Sequence, residues 1–310
     1  MRRAIAADFH SLEDVDVVMT LDRRFADESN PWKTVLVGPR LELEIFQALA
    51  NDVDYIVCIA PETGGILEAR AALIEETTGR SLGSSHEAIG IVTDKLGLSK
   101  RFEENGIATP PTRAFVVSEG LPEDLGFPCV VKPIDGAGSQ LTFLIQSRSE
   151  WAPTSELPER MLVQPFVQGI PMSASFLVDR QGVAQVLGVG RQHLTTRGRE
   201  IRYAGGSMPE PDALALGEPR AAIEAVKGLR GFVGVDFIVD PRSGTMTVIE
   251  INPRPTTSFV GLQYRYGLGK IAGAWLDSVG AVGQALQKTP PTSVEPFRFH
   301  ADGTIERHAI

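Results

Sequence analysis

The 310-residue chain carries 30 Lys and Arg against 39 Asp and Glu, a formal charge of −9, with 43 % hydrophobic and 22 % charged residues. That balance excludes disorder as the main state, and an acidic chain without a Lys/Arg run excludes sequence-independent nucleic-acid binding. The longest clean apolar stretches, such as residues 55–60, reach about six residues where a membrane span needs about 20, and residues 1–10 lack the apolar core of a secretion signal.

The chain opens with an amphipathic helix over 2–9. Residues 15–20 and 34–37 read as strands, the second ending at Gly38-Pro39. Residues 41–50 have helical spacing, with Leu41, Ile45, Ala48 and Leu49 on one face. A buried strand over 55–60 holds Cys58, and the run after Gly65 is a helix that ends near Gly79. Strands alternating with helices predict a parallel sheet covered on both faces, a Rossmann-like lobe over 1–91. Such a lobe normally opens with a strand. Either its first strand is missing or the natural reading frame begins upstream.

Thr93 can cap a helix that runs to Asn105, where Gly106 stops it. Pro110-Pro111 then forces an extended exit. From there strands dominate: 113–117, 128–132 (with Cys129), 141–146, 161–165, 172–178 and 184–190. A helix over 213–228 precedes strands 232–239 and 246–251, a helix over 262–278, and a hairpin of 297–300 with 304–307 turning at Asp302-Gly303. The expected class is therefore α/β followed by α+β, with a central lobe over 92–167 and a last lobe over 168–310. The two cysteines read as reduced core thiols, in keeping with a cytoplasmic protein.

The densest pattern lies at 233–254, VGVDFIVDPRSGTMTVIEINPR. Two β-rich runs flank Asp240-Pro241-Arg242-Ser243-Gly244, a hairpin turn. Opposed residues of an antiparallel pair have a constant index sum, and a turn centred on Ser243 sets Asp236 opposite Glu250. Glu250, Asn252 and Arg254 are spaced by two and share a face. Two carboxylates and an amide oxygen suit Mg²⁺ with room for water and phosphate. Arg254 at the rim can hold a phosphoryl group or a substrate carboxylate. A solvated hairpin face is the alternative, but it explains poorly why Glu and Asn interrupt an apolar strand that ends at Pro253.

Residues 127–139, FPCVVKPIDGAGS, deliver Lys132 on a β-branched strand and then Asp135, Gly136, Ala137, Gly138 and Ser139. Glycines let backbone N–H groups approach phosphates closely. No Lys-Ser/Thr follows, so this is not a Walker A loop, and a strand rather than a helix follows, so it is not a dinucleotide fingerprint. Alone, it reads equally well as a plain turn. Thr93-Asp94-Lys95, taken alone, is a capped helix with a surface lysine, one of seven lysines in the chain. Residues 162–167, LVQPFV, can pair with an adenine edge and cover its ring, or can be an ordinary strand end.

In order and spacing these four segments resemble the ATP-grasp superfamily, over about residues 90–280. The resemblance implies an ATP-grasp fold in which two α+β lobes clasp ATP. Lys95 and Lys132 would contact its phosphates. Gly136, Gly138 and Ser139 would form a mobile lid, with Gln164, Pro165, Phe166 and Val167 around adenine. Asp236, Glu250 and Asn252 would hold Mg²⁺, for which Mn²⁺ can substitute, and Arg254 matches an arginine facing phosphate or acyl phosphate. Many members bind ribose with an acid shortly after the hinge. Here 169–173 reads GIPMS, so Ser173 or a backbone group takes that place.

Residues 60–63 (APET) and 250–262 (EINPRPTTSFVGL), with 191–193 (RQH) and 203–206 (YAGG), resemble one branch of the superfamily, the tyramine–L-glutamate ligases of methanofuran biosynthesis. That resemblance points Glu62 toward the acceptor, to orient an ammonium or act as general base, though alone Glu62 reads equally as a loop acid. It places Thr256, Thr257 and Ser258 along the substrate site, with Arg191, Arg202 and Tyr203 as substrate or phosphate contacts. The implied activity is an ATP-dependent, ADP-forming carboxylate–amine ligase working through an acyl phosphate, joining the γ-carboxyl of L-glutamate to tyramine or a related aromatic amine. Alternatives are an ATP-grasp ligase for other amino acids, a bicarbonate-activating enzyme, or an ATP-binding module without turnover. Partners are ATP, a small carboxylate and an amine. Analogy with the superfamily adds a homodimer.

Overall fold

The computed structural model describes residues 1–26, 29–136, 138–210, 215–280 and 295–307. Its first part contains α1 (Arg2–His10), β1 (Val18–Asp22), β2 (Lys33–Val37), α2 (Glu42–Asp52), β3 (Tyr55–Ile56), α3 (Ile66–Glu75) and β4 (Arg80–Ser81). Then follow α4 (His86–Thr93), α5 (Lys95–Glu104), β5 (Arg113–Val116), β6 (Cys129–Pro133), β7 (Phe143–Ile145) and β8 (Arg160–Pro165). The remainder is β9 (Ile170–Val178), β10 (Ala184–Arg197), β11 (Glu200–Met208), α6 (Gly217–Glu224), β12 (Gly231–Val239) and β13 (Met246–Asn252). It closes with α7 (Ser258–Tyr266), α8 (Lys270–Ser278), β14 (Phe297–His300) and β15 (Ile305–Arg307).

The alternating strands and helices of the first part do pair in parallel, β1 with β2 and β3 with β4. They form two separate two-stranded ladders rather than one covered sheet. Leu36 of β2 and Leu41 and Leu43 at the start of α2 are exposed. The opening helix, expected within this lobe, docks elsewhere: Ile5 and Phe9 of α1 pack with Ile271 and Trp275 of α8. Asp8 of α1 also caps α8, its carboxylate accepting the N–H of Gly269 at 2.8 Å and of Ala272 at 2.7 Å.

The expected helix start at Thr93 moves by one residue. Thr93 ends α4, and Asp94 caps α5, accepting from the N–H groups of Leu96 and Gly97. The 91/92 boundary expected from sequence thus falls inside α4, whose Ile89 packs on Leu67 and Ala71 while Ala88 and Val92 join the core of the later strands. The expected helix over 262–278 is two helices, broken where Gly267 and Gly269 adopt φ of 87° and 79°. The expected helix over 213–228 is α6; residues 213 and 214 lie outside the described ones.

Among the described residues eleven strands form one sheet, in the order β13-β12-β9-β10-β11-β7-β6-β8-β5, with β14 added beside β11 and β15 beside β14. β9 and β12 are covered on both faces. Phe176, Val178, Val233 and Val235 enter a core with Phe102 of α5 and Ile223 of α6. Leu177 and Phe232 enter another with Phe259 of α7 and Trp275 of α8. Double coverage explains why these strands read as continuous apolar runs, and each buried aromatic contributes about 2 kcal/mol. A third core, with Phe115, Val131, Ile145 and Met161, lies under β5 to β8. Gly231, at φ 66°, lets the Leu82 carbonyl come so close that any Cβ would collide with it. The Trp275 indole N–H donates to the same carbonyl at 2.7 Å. Both cysteines are free thiols, Cys129 buried and Cys58 half-buried. Among the described residues no helix is long and apolar enough to cross a membrane.

Candidate active site

The β12–β13 hairpin places Asp236 directly opposite Glu250, and Gly234 opposite Asn252. Nearer the turn the pairing sits one residue off, and a bulge at Ile249 restores the register. Asn252 Nδ2 donates to Asp236 Oδ2 at 3.2 Å. Burial, then repulsion from Glu250, pushes the Asp236 carboxyl up to about 7, against hydrogen bonds from Ser173, Gln192 and Asn252. Burial opposes ionisation of Glu250 too, but attraction to Lys95 and Lys132 holds its pKa below the ordinary value.

Lys95, the first residue of α5, reaches Glu250 Oε2 at 3.0 Å and donates to the Gly136 carbonyl at 3.1 Å. Burial works against its charge, yet Glu250, Glu62 and Asp236 together raise its pKa. Lys132 comes from β6 and is 7 % exposed. Burial lowers its pKa to about 8, with Glu250 pulling the other way. The lysines and carboxylates line a cleft between β6 to β8 and β10 to β13 that holds about 980 Å³ of space free of protein atoms, part of it open to solvent. Gly136, Gly138 and Ser139 line one side of it, with Gln164, Phe166 and Val167 along another. Gly138 and Ser139 have φ of 68° and 59°. Ala137 lies outside the described residues.

The carboxylate pair fits a divalent cation by its chemistry. Two half-buried carboxylates lie close enough to repel, and the Lys95 ammonium already stands against one of them as a cation. Among the described residues no group of three or more His, Cys, Asp or Glu gathers to hold a metal. A set of two carboxylates and one amide leaves coordination positions for phosphate oxygens and water.

Beside this cluster, Arg254 donates to Glu62 Oε2 at 2.8 Å, across 192 residues of sequence. Glu62 is 5 % exposed. Glu62 Oε1 and Arg254 Nε are buried without a hydrogen-bond partner, an arrangement that leaves polar capacity for a ligand. The two residues that sequence assigned to an ammonium and to a carboxylate therefore hold each other. Thr256 Oγ1 lies 2.7 Å from Ser258 Oγ, which lies 2.9 Å from Ser175 Oγ of β9. Thr257 precedes the first turn of α7.

Four expected residues stand elsewhere. Ser173, expected at ribose, hydrogen-bonds Asp236 instead, because β9 and β12 pair these two positions. Pro165 is exposed on β8 and absent from the cleft wall. Arg191 and Arg202 fall on the wrong side of the pleat. Their neighbours Gln192, Ile201 and Tyr203 line the cleft, while Arg191 pairs with Glu210 at 3.2 Å and Arg202 with Glu200 at 2.5 Å. Tyr203 is raised in pKa by burial and by Asp236. Sequence reasoning passed over Gln192, because the expected strand ended at 190 and only the pairing of β10 with β9 and β11 shows which of its faces meets the cleft.

The ATP-grasp domain family matches residues 92–258, and a pre ATP-grasp 3 domain matches residues 15–89. A tyramine–L-glutamate ligase of Methanocaldococcus fervens is 28 % identical over 84 % of this chain and 81 % of its own length. A D-alanine–D-alanine ligase of a Synechococcus strain is 28 % identical over 56 % of each chain. The crystal structure of an L-amino acid ligase from Bacillus licheniformis superposes with a TM-score of 0.75 at 17 % identity, covering 96 % of this chain and 76 % of that one.

Proposed function

The chain belongs to the ATP-grasp domain family, and from that premise we propose that it is an ATP-dependent carboxylate–amine ligase that works through an acyl phosphate. The substrate pair proposed is L-glutamate, through its γ-carboxyl, and tyramine or a related aromatic amine. The observation that carries this reading is one cluster. Lys95 and Lys132 converge with Asp236 and Glu250 under the glycine-rich loop, next to the buried Glu62–Arg254 pair. Similarity to tyramine–L-glutamate ligases over most of both chains supports the substrate pair.

The chemistry follows from charge. A carboxylate oxygen attacks the γ-phosphorus of ATP, ADP leaves, and the lysine ammoniums would neutralise the charge that builds on the transferring oxygens. Asp236, Glu250 and Asn252 would hold magnesium, whose chemistry here is to neutralise phosphoryl charge. The substrate carboxylate approaches Arg254 and competes with Glu62 for the guanidinium. Glu62 is then free for the ammonium of the amine, which must lose a proton before or during its attack on the acyl carbonyl. Phosphate leaves and the amide remains. Gly136, Gly138 and Ser139 would lie over the phosphates, where exclusion of water protects the acyl phosphate.

The test is ADP release with ATP, Mg²⁺ and L-glutamate, with and without tyramine, followed by the product mass. Tyramine-dependent ADP and a glutamyl–tyramine mass are expected. ADP that appears only with another amine would move the reading to a ligase for other amino acids. ADP that ignores every amine, or that requires bicarbonate in place of L-glutamate, would overturn the carboxylate–amine assignment.

A further inference from the structure

Asp135 sits between the glycine-rich loop and a turn 71 residues earlier in the chain. Its Oδ2 accepts the backbone N–H of Gly64 at 2.8 Å. The next residue, Gly136, offers its carbonyl to the Lys95 ammonium at 3.1 Å. Two consecutive loop residues thus hold, respectively, the turn that carries Glu62 and a lysine of the phosphate cluster. The Glu62 turn is built to receive this contact. Gly64 and Gly65 both take left-handed backbone, φ 66° and 67°, which glycine adopts without strain. Inside the turn, Gly65 N–H is used by the Glu62 carbonyl and Leu67 N–H by the Pro61 carbonyl. The Gly64 N–H leaves the turn and goes to Asp135.

We infer that Asp135 is a positioning residue, tying the nucleotide loop to the backbone of Glu62 and so placing Glu62 for the second substrate. Glu62 is then fixed at two points: its carboxylate by Arg254 at 2.8 Å, and its main chain, two residues on, by Asp135. Misplacement of a positioning group by about 1 Å can cost up to about 10²-fold in rate, so a single backbone tether is enough to matter. The chemical consequence rests on the ligase reading; the tether itself does not.

Two arms separate them. The first measures hydrogen–deuterium exchange of residues 62–66 in wild type, Asp135→Ala and Asp135→Asn, each with and without a non-hydrolysable ATP analogue. An amide oxygen at 135 can still accept the Gly64 N–H. Exchange about tenfold faster in Asp135→Ala and near wild type in Asp135→Asn is expected. Equal exchange in all three, or an Asn variant no better than the Ala variant, would overturn the inference. The second arm measures substrate KM by ADP release. Asp135→Ala should raise KM for the carboxylate or the amine about tenfold while the affinity for the ATP analogue is not weakened. An unchanged KM, or a matching loss of nucleotide affinity, would count against it. If wild type releases no ADP with any amine, the ligase reading falls and the exchange arm alone decides the role of Asp135.

Discussion

Glu250 faces a carboxylate and two ammoniums at once, and Lys95 already contacts it at 3.0 Å. Replacing it with Gln keeps the shape, because the pairing of β12 with β13 is a backbone matter. It removes the charge that both lysines answer to. Glu250→Gln should therefore fold with an ordinary melting curve and lose on the order of 10²-fold in turnover. Near-normal turnover in the folded variant would sink the assignment of Glu250 to the phosphoryl-transfer cluster. The Asp236–Glu250 juxtaposition was legible in the sequence because turn chemistry and the period of two are local. The fates of Ser173, Arg191 and Arg202 were not. Which side of the pleat a residue takes is visible in a strand, but which side faces the cleft depends on how β9, β10 and β11 pair with strands distant in sequence.

Among the elements, α8 shows how a helix end can depend on another part of the chain. Its cap position is Gly269, which has no side chain to satisfy the first N–H groups. Asp8 of α1 supplies the carboxylate instead, with Gln263 Nε2 also donating to it at 3.2 Å. Asp8→Ala leaves these donors without an acceptor and should cost about 2 kcal/mol in thermal or denaturant unfolding. A pH series gives a second, signed test. Burial raises the Asp8 carboxyl above its ordinary 3.8, against the hydrogen bonds it accepts. Stability from this group is therefore fullest below 3.8 and is lost as pH rises through the folded value. Comparing wild type with Asp8→Asn removes that dependence. The melting difference should shift in favour of Asn as pH rises above 3.8, and a flat difference would mean Asp8 is not linked to folding. No local pattern reveals such a contact: the amphipathic stripe of α1 was readable, its destination was not. The same limit hid α4, eight residues long, and the second half of β10, where Thr195, Thr196 and Arg197 give no apolar alternation.

For the molecule as a whole, the junction of the two strand groups decides what nucleotide binding does. The strands carrying Lys132 and those carrying Asp236 and Glu250 join where β7 meets β11 through one paired position, Phe143 with Glu200. Two further backbone hydrogen bonds reinforce it, Leu144 N–H to the Arg199 carbonyl and Ile201 N–H to the Thr142 carbonyl. The cleft opens beside this narrow neck, so on the proposed reading a nucleotide inside it would touch both groups and bind only when they are correctly placed. Linkage then stabilises the folded state by about 2.7 kcal/mol at a hundred times Kd. For a chain of this size that corresponds to a melting shift of several degrees. Lys132 is the buried ammonium on one side of the cleft, so Lys132→Ala should retain most of its unliganded stability and lose most of the shift. The decisive comparison is thermal unfolding of both proteins with and without saturating ATP analogue and Mg²⁺. A wild type that does not shift would remove the cleft as the nucleotide site. A full shift in Lys132→Ala would leave the cleft in place but take Lys132 out of it, and with it the physical reason that a strand this apolar ends in a lysine before a run of glycines.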